Sequence, residues 1–549
     1  MVEMFTNVDF LLFFLQDIPF NVFIIAACNP HRGNSLAPTR PDETWVRGFY
    51  YVHRLHPTLR YLMWDYGALN ELQERRYIEA KVKLLHSNLS NPKVDILAEH
   101  IVQSQNLIRQ YAQDQLLQCN LQPTDAEAAS RSTVSQRDIQ RFFTFYQWLL
   151  KMHDKLDRHE ESDRKTRAML VALSIVYYMR LNSKYRECYQ QEMEELAKQM
   201  GAKVTFAQAF QDELEWLISE IDLPPGIART QALKENIFAI VICVMTCTPL
   251  ILVGAPGSSK TLSFHLVTQN LRGKESDVKV FQSNIFSSVD PHFYQCSRQT
   301  TSHEINSVFS RAINRQSTYR EFALPIKCVI LMDEAGLPEE SLESLKALHY
   351  HLDQQEVSFV AITNHILDAA KSNRAVSLVV TEPSKEDLIK LAKDCFCDPY
   401  NIEVTSPQTA SATHSIISHS LDHKGQTSPV LSLQTFDYAR QSANEYIERC
   451  CVSYFELMKQ NERCDADECG QRFHYPFHNF FGLRDFIHFL GYLRRKLFVQ
   501  SLSSVQFPKL TNALVLEGLE RNFNGTEDFD SICAHFIKVS ILVMCFLSY

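Results

Sequence analysis

One segment restricts the fold of this chain more than any other. Pro249-Leu-Ile-Leu-Val253, a strand-length apolar run, enters Gly254-Ala-Pro-Gly-Ser-Ser-Lys260-Thr261, and a helical pattern with Leu262, Phe264 and Leu266 follows. Strand, glycine loop and helix in that order turn backbone N–H groups inward at a helix N-terminus, where hydrogen bonding and the helix dipole both favour phosphate oxygens. Gly254, Pro256, Gly257, Ser258 and Ser259 form the loop. Lys260 is placed to reach β- and γ-phosphates, and the Thr261 hydroxyl to ligate Mg²⁺. Ser259 stands where the strict pattern has glycine, and its short side chain is expected to be sterically mild there. Alone, such a loop reads equally well as a glycine turn before a helix.

It has companions. About 70 residues on, Cys328-Val-Ile-Leu-Met-Asp333-Glu334 is an apolar strand ending in two carboxylates. Asp333 is placed for the Mg²⁺ shell, and Glu334 to orient and deprotonate an attacking water. Some 30 residues further, Val357-Ser-Phe-Val-Ala-Ile-Thr-Asn364 ends in a neutral amide suited to positioning that water. Arg374 lies between this strand and the β run Val376–Val380. Its fork of donors and permanent charge suit a phosphate on a neighbouring module, the alternative being a surface arginine. Arg484 opens an aromatic-rich helix and is a candidate for the γ-phosphate, the alternative being a helix-packing role.

Part of this series occurs twice. Val22-Phe-Ile-Ile-Ala-Ala-Cys-Asn29 matches the strand to Asn364, and Arg137-Asp-Ile139 matches Arg484-Asp-Phe486, with Asn-to-Arg gaps of about 108 and about 120 residues. Two modules in tandem are expected, the first partial and the second complete. Leu97, Ile101, Ile108 and Tyr111 lie on one helical stripe, and apolar residues crowd Met169–Met179, so the region between the strands of the two modules reads largely as helices.

Composition excludes several classes. Lys and Arg number 55 against 64 Asp and Glu, a net charge of −9, so a clustered basic face for nucleic acid is not expected. The apolar run Ile541–Leu547 falls short of the ~20 residues that span a bilayer. Phe10–Phe14 has acidic neighbours and no basic lead, so neither a transmembrane segment nor a signal peptide is expected. The 15 cysteines form no repeating grid, which suits buried thiols in a reducing, cytoplasmic setting. Cys464, Cys469, His474 and His478 are close in sequence, but their gaps fit no common zinc module.

Taken in order, the phosphate loop, Asp-Glu strand, Asn strand, arginine and helical lid resemble the AAA+ ATPases. The closer resemblance is to the mysterin family, giant dynein-like AAA+ proteins that are also RING-type E3 ubiquitin ligases. It rests on Ala27-Cys-Asn-Pro-His-Arg32, Trp64-Asp-Tyr-Gly67 and Leu223-Pro-Pro-Gly-Ile-Ala-Arg-Thr230. It continues through the phosphate loop, Tyr294-Gln-Cys-Ser297, Ile330-Leu-Met-Asp-Glu-Ala335, Leu345-Lys-Ala-Leu-His349 and Arg521-Asn-Phe-Asn-Gly-Thr526. The resemblance implies an α/β AAA+ parallel sheet with helical lids, ATP and Mg²⁺ as ligands, and ATP hydrolysis. It implies Walker A at Lys260 and Thr261, Walker B at Asp333 and Glu334, sensor 1 at Asn364, an arginine finger at Arg374 and sensor 2 at Arg484. Asn29 and Arg137 resemble the sensors of the partial module. In such rings a finger serves the preceding module, so Arg374 is expected to point at the partial first module, and the Lys260 site to await an arginine from a following one. Implied partners are neighbouring AAA+ modules of a larger polypeptide or ring, and ubiquitin machinery through the parent protein.

The expected organisation follows. Residues 1–60 end the large subdomain of the first module, 61–211 form its lid, and 212–400 the second large subdomain. Residues 401–434 are a Ser/Thr-rich insertion, 435–530 the second lid, and 531–549 a tail.

Overall fold

The computed structural model describes most of residues 71–395, together with 447–458, 482–503 and most of 511–537. The Asn29 strand, the Ser/Thr-rich insertion, the Cys464–His478 cluster and the tail beyond 537 lie outside the described residues, whereas Ile532 and Phe536, expected in the tail, join the core of the second helical unit. Three apolar runs of strand length became well-buried strands, and two less buried segments, Ser288–Gln295 and Val376–Val379, pair at the two edges of the sheet. These are β1 (Leu250–Val253), β2 (Ser288–Gln295), β3 (Ile326–Asp333), β4 (Ser358–Thr363) and β5 (Val376–Val379). All pair in parallel in the order β2-β3-β4-β1-β5.

Side chains alternate across the sheet, as the period of two requires. Leu250, Leu252, Val329, Leu331, Val360 and Ile362 join one core. That core also contains the apolar side of α7 (Gln231–Thr246), Ile237 through Met245, and Phe264 and Leu266 of α8 (Lys260–Asn270). Ile251, Val253, Cys328, Ile330, Phe359 and Ala361 face a second core with Ile305, Val308 and Phe309 of α9 (Ser302–Glu321) and Leu348 and Leu352 of α10 (Ala347–Gln354). A parallel sheet covered on both faces explains why β1 and β4 read as unbroken apolar runs. More important for function, the ends of β1, β3 and β4 share one edge. Loops from positions 254, 334 and 364, distant in sequence, therefore converge.

The helical region before the sheet is a bundle: α1 (Glu71–Leu85), α2 (Asn91–Gln118), α3 (Gln136–Lys155), α4 (Glu161–Val176), α5 (Ser183–Met200) and α6 (Phe206–Glu220). The stripe on α2 is buried at Leu97, Ile101 and Ile108, and α4 is buried along Ala168–Val176. α3 begins with a capping box, Ser135 with Asp138, which places Arg137 in its first turn. The division expected between 211 and 212 falls inside α6, and the next break in helix is at Ile221–Thr230. Cores of the bundle and of the α7 face of the sheet are continuous, with Phe210 and Phe238 rings 6.0 Å apart edge-on.

A separate core holds the second helical unit. Phe486, Phe489 and Leu493 of α13 (Leu483–Ser503) pack on Leu514, Leu519 and Phe523 of α14 (Asn512–Phe523), with Leu388 and Leu391 of α12 (Lys385–Cys395) beneath; the short helix Ala369–Ser372 is α11. No disulfide joins the described cysteines.

Candidate nucleotide site

The phosphate loop is built by β1 and closed from outside. Gly254 N donates to Thr363 O (3.1 Å), seating the start of the loop against the end of β4. Gly257 has φ +90, and a Cβ there would stand 2.9 Å from the Arg484 backbone nitrogen, so only glycine lets the first turn of α13 come this close to the loop. Arg484 itself is exposed at that turn, and its charge is felt at Lys260. Ser259 caps α8 with φ 60, ψ 15, in the left-handed region.

This corrects the expectation that Ser259 is sterically mild. The cost arises in the backbone, because an L-residue in this region loses roughly 1–2 kcal/mol relative to the right-handed form. Ser259→Gly is therefore expected to raise stability by about 1 kcal/mol after the extra chain entropy of glycine is subtracted. Urea melts of the two proteins test this, and an unchanged or lower midpoint would reject it.

Lys260 is buried, and its ammonium donates to Gly254 O (2.6 Å), Ala255 O (2.9 Å), Ser258 Oγ (3.2 Å) and Asn364 Oδ1 (3.4 Å). Asn364 Nδ2 in turn donates to Glu334 Oε2 (3.2 Å). The amide thus ties the cation of one strand end to the carboxylate of another. Glu334 adopts φ 53, and its N–H donates to Asp333 Oδ1 (3.0 Å). Burial pulls Lys260 down to about 8; Glu334 and Asp333 oppose that shift, and Arg484 adds to it.

The sign for ligand binding follows. A phosphate ligand favours charged Lys260, so binding needs no proton uptake below about pH 8, but needs it above. Affinity for Mg-ATP is expected to be flat in this group's contribution below that value and to fall by up to about tenfold per pH unit above it. Dissociation constants measured from about pH 7 to about pH 9.5 check this, and a flat profile would reject it.

Arg374 stands elsewhere. β5 runs parallel to β1 with Val376 opposite Leu250, so Arg374 precedes the strand on the edge of the sheet opposite Lys260. Its Nε donates to Asp353 Oδ2 (3.0 Å), and Arg137 Nη2 reaches Asp353 Oδ1 (3.4 Å). The two arginines expected to serve the preceding module thus meet on one aspartate. Arg141, buried on α3 and paired with Asp138 (2.7 Å), donates to Asn373 O (2.8 Å) and fixes the turn that carries Arg374.

Sequence reasoning missed two residues of the site's support. Asn236 on α7 is buried and donates through Nδ2 to Ser258 O (3.2 Å), bracing the phosphate loop from below. Its signal was an amide at the start of an otherwise apolar helix. Asp353 gave no signal, because nothing local distinguishes it from a solvated helix residue.

The residues present fit a Mg-nucleotide. The fit rests on a glycine-only approach at Gly257, a buried cation lined by loop carbonyls, and two carboxylates at the end of β3, one strand beyond β4. A parallel sheet with its phosphate loop on an inner strand, the acidic strand two places away and a helical lid against the loop defines an α/β AAA+ domain. Residues 226–387 match the family model described as the RNF213 AAA domain. Over these residues the chain is similar to the AAA domain of RNF213-type, or mysterin-type, proteins.

Mouse E3 ubiquitin-protein ligase RNF213 is 29% identical over 424 residues, and the human protein is 28% identical over 423; each alignment covers 67% of this chain and 8% of the relative. A Dictyostelium discoideum protein named as a putative uncharacterized transmembrane protein is 26% identical over 524 residues, 89% of this chain and 8% of its own. The chain thus spans 8% of the length of these relatives. Among the described residues no helix is long and apolar enough to cross a membrane. A Thermotoga maritima RuvB variant (54% of this chain, 70% of that one) and C. elegans PCH-2 (61% and 72%) overlap it with a TM-score of 0.27 and 11% identity, too loosely to add to the fold assignment.

Proposed function

We propose that this chain binds Mg-ATP at the Lys260 site and hydrolyses it, the resulting movement of the α13 lid driving conformational change in a larger mysterin-like E3 ubiquitin-protein ligase. The observation that carries this reading is the chain of contacts Lys260–Asn364–Glu334, which holds a phosphate-binding cation and a candidate base on one amide. Gly254 to Ser259 supply backbone donors to the phosphates, and Lys260 exchanges its carbonyl partners for β- and γ-oxygens. Thr261 and Asp333 would hold Mg²⁺, which neutralises charge developing on the phosphates. Glu334 takes the proton of the attacking water, and Asn364 fixes the direction of that carboxylate. Arg484 completes the γ-phosphate environment when the lid is seated. Ubiquitin transfer belongs to the parent protein on this reading, by likeness to relatives named as ligases.

A second reading is favoured by the position of Arg374. With that guanidinium on the opposite edge of the sheet, the Lys260 site has no finger from its own module, and a finger contributes about 10³–10⁵ in rate. Bound ATP then locks modules together with little turnover. Mg-ATP affinity and phosphate release, measured on the same preparation with Lys260→Ala as control, separate the two. Tight binding with turnover that disappears in the variant supports hydrolysis. Tight binding with release equal to the control supports the scaffold, and no binding rejects both.

A further inference from the structure

Three side chains with metal-ligating atoms meet in the first helical bundle, apart from every residue of the nucleotide site. His153 in the last turn of α3 and Glu213 in the middle of α6 are fully buried, and His159, in the turn after α3, is 18% exposed. Both rings present Nε2 to Glu213 Oε1, His153 at 3.1 Å and His159 at 2.7 Å, and the rings meet edge-on with centroids 5.0 Å apart. One ligand atom from each residue lies within 4.8 Å of the other two.

Two features are unusual for a carboxylate that merely satisfies buried donors. Oε1 takes both imidazoles and Arg158 Nη2 (3.1 Å), while Oε2 is buried without a partner, as is His153 Nδ1. Buried polar atoms are nearly always paired, and each orphan costs roughly 1–3 kcal/mol. Moreover, Asp157 and His159 both have left-handed backbones, φ 49 and φ 62, so the turn is bent to carry the His159 ring inward.

We propose that His153, His159 and Glu213 bind a divalent ion of the zinc class through two imidazole Nε2 atoms and one carboxylate oxygen. Two imidazoles with a single carboxylate suit Zn²⁺ and its neighbours in the first transition row, whereas Mg²⁺ and Ca²⁺ demand oxygen ligands. Zn–N and Zn–O bonds of about 2.0–2.2 Å set tetrahedral ligands roughly 3.3 Å apart. The observed 3.1 and 2.7 Å therefore need to open by only a few tenths of an ångström. On binding, each Nε2 gives up its proton and its lone pair faces the ion; the protons pass to Nδ1 or to solvent. Glu213 has a second oxygen for Arg158, whose guanidinium lies 3.8 Å over the Trp216 ring, so one carboxylate serves both cations. Water completes the shell through the partly exposed His159 side. The ion would tie the end of α3 and its turn to α6, the last helix before the nucleotide-binding unit.

The test is a titration of the whole chain with Co²⁺, without nucleotide, followed by Zn²⁺ competition. One equivalent should develop visible d–d bands of nitrogen and oxygen coordination, without a sulfur-to-metal charge-transfer band, and tryptophan emission should change as Arg158 shifts over Trp216. Zn²⁺ should abolish the bands. His159→Gln, a change in a surface turn, should weaken Co²⁺ binding at least about 100-fold and leave Mg-ATP affinity unchanged. The joint Cys464→Ser, Cys469→Ser variant should retain the spectrum. Absence of the bands, their survival in His159→Gln, or their loss in the double cysteine variant would overturn the proposal.

Discussion

Lys260→Ala is expected to weaken Mg-ATP binding by about 10²–10³-fold while leaving the fold as stable as before, or slightly more so. The ammonium is the one cation enclosed by the phosphate loop, and its donors would make two or more charge-assisted contacts with phosphate oxygens, each worth roughly 1.5–3 kcal/mol. At 1.4 kcal/mol per factor of ten, losing two contacts of about 1.5–2 kcal/mol each, the lower part of that span, gives this range. Alanine also leaves the Asp333 and Glu334 charges unopposed beside an anionic ligand. Stability should not fall in parallel, because burial disfavours the charged lysine and its removal relieves that penalty. Lys260→Arg is not expected to rescue binding, since the ammonium sits within 2.6 and 2.9 Å of two loop carbonyls and a planar guanidinium needs more room. Isothermal titration with Mg-ATP, paired with thermal melts, reads both quantities. A variant that binds ATP normally would remove Lys260 from the site, and one that fails to fold would show that the cation is structural.

Glu334→Gln should separate binding from chemistry. Glutamine has the shape of glutamate, and its carbonyl oxygen can still accept from Asn364 Nδ2, now 3.2 Å from Glu334 Oε2. What it loses is the capacity to take a proton from water, a contribution of about 10²–10⁴ in rate. ATP affinity should be retained or improved, because one negative charge leaves the neighbourhood of the phosphates. Because a site without a finger is expected to turn over slowly, single-turnover hydrolysis of radiolabelled ATP under excess protein is the suitable assay. Unchanged hydrolysis in the variant would show that Glu334 is not the base.

Much of the site was legible because its signals are local. An apolar run of strand length, a glycine loop and a helix pattern need only neighbouring residues to be read, and the same is true of Asp333-Glu334 and of Asn364 at strand ends. The structure places all of them along one edge of the sheet, as parallel pairing of β1, β3 and β4 demands. What could not be read was conformation imposed from a distance. Ser259 looks mild as a side chain, yet its backbone is held left-handed between β1 and α8. Gly257 looks like part of the loop, yet it is the approach of Arg484, more than 220 residues later, that needs the missing Cβ.

By itself the sequence marked β1, β3, β4 and β5 as strands and offered candidate phosphate-binding side chains, because hydrophobic period, turn chemistry and charge are properties of short stretches, whereas the mixed polar segment Ser288–Gln295 gave no such signal for β2. Only the tertiary structure decided who meets whom. Strand order set Asn364 between Lys260 and Glu334, the opposite sheet edge received Arg374, and Asp353 drew Arg374 and Arg137 together. Packing of α3 and α6 on the shared helix α4 likewise brought His153 and His159 onto Glu213 across more than 50 residues. The reason is physical: contacts between remote segments depend on how whole elements bury their apolar faces, and that choice is made by the ensemble of elements together.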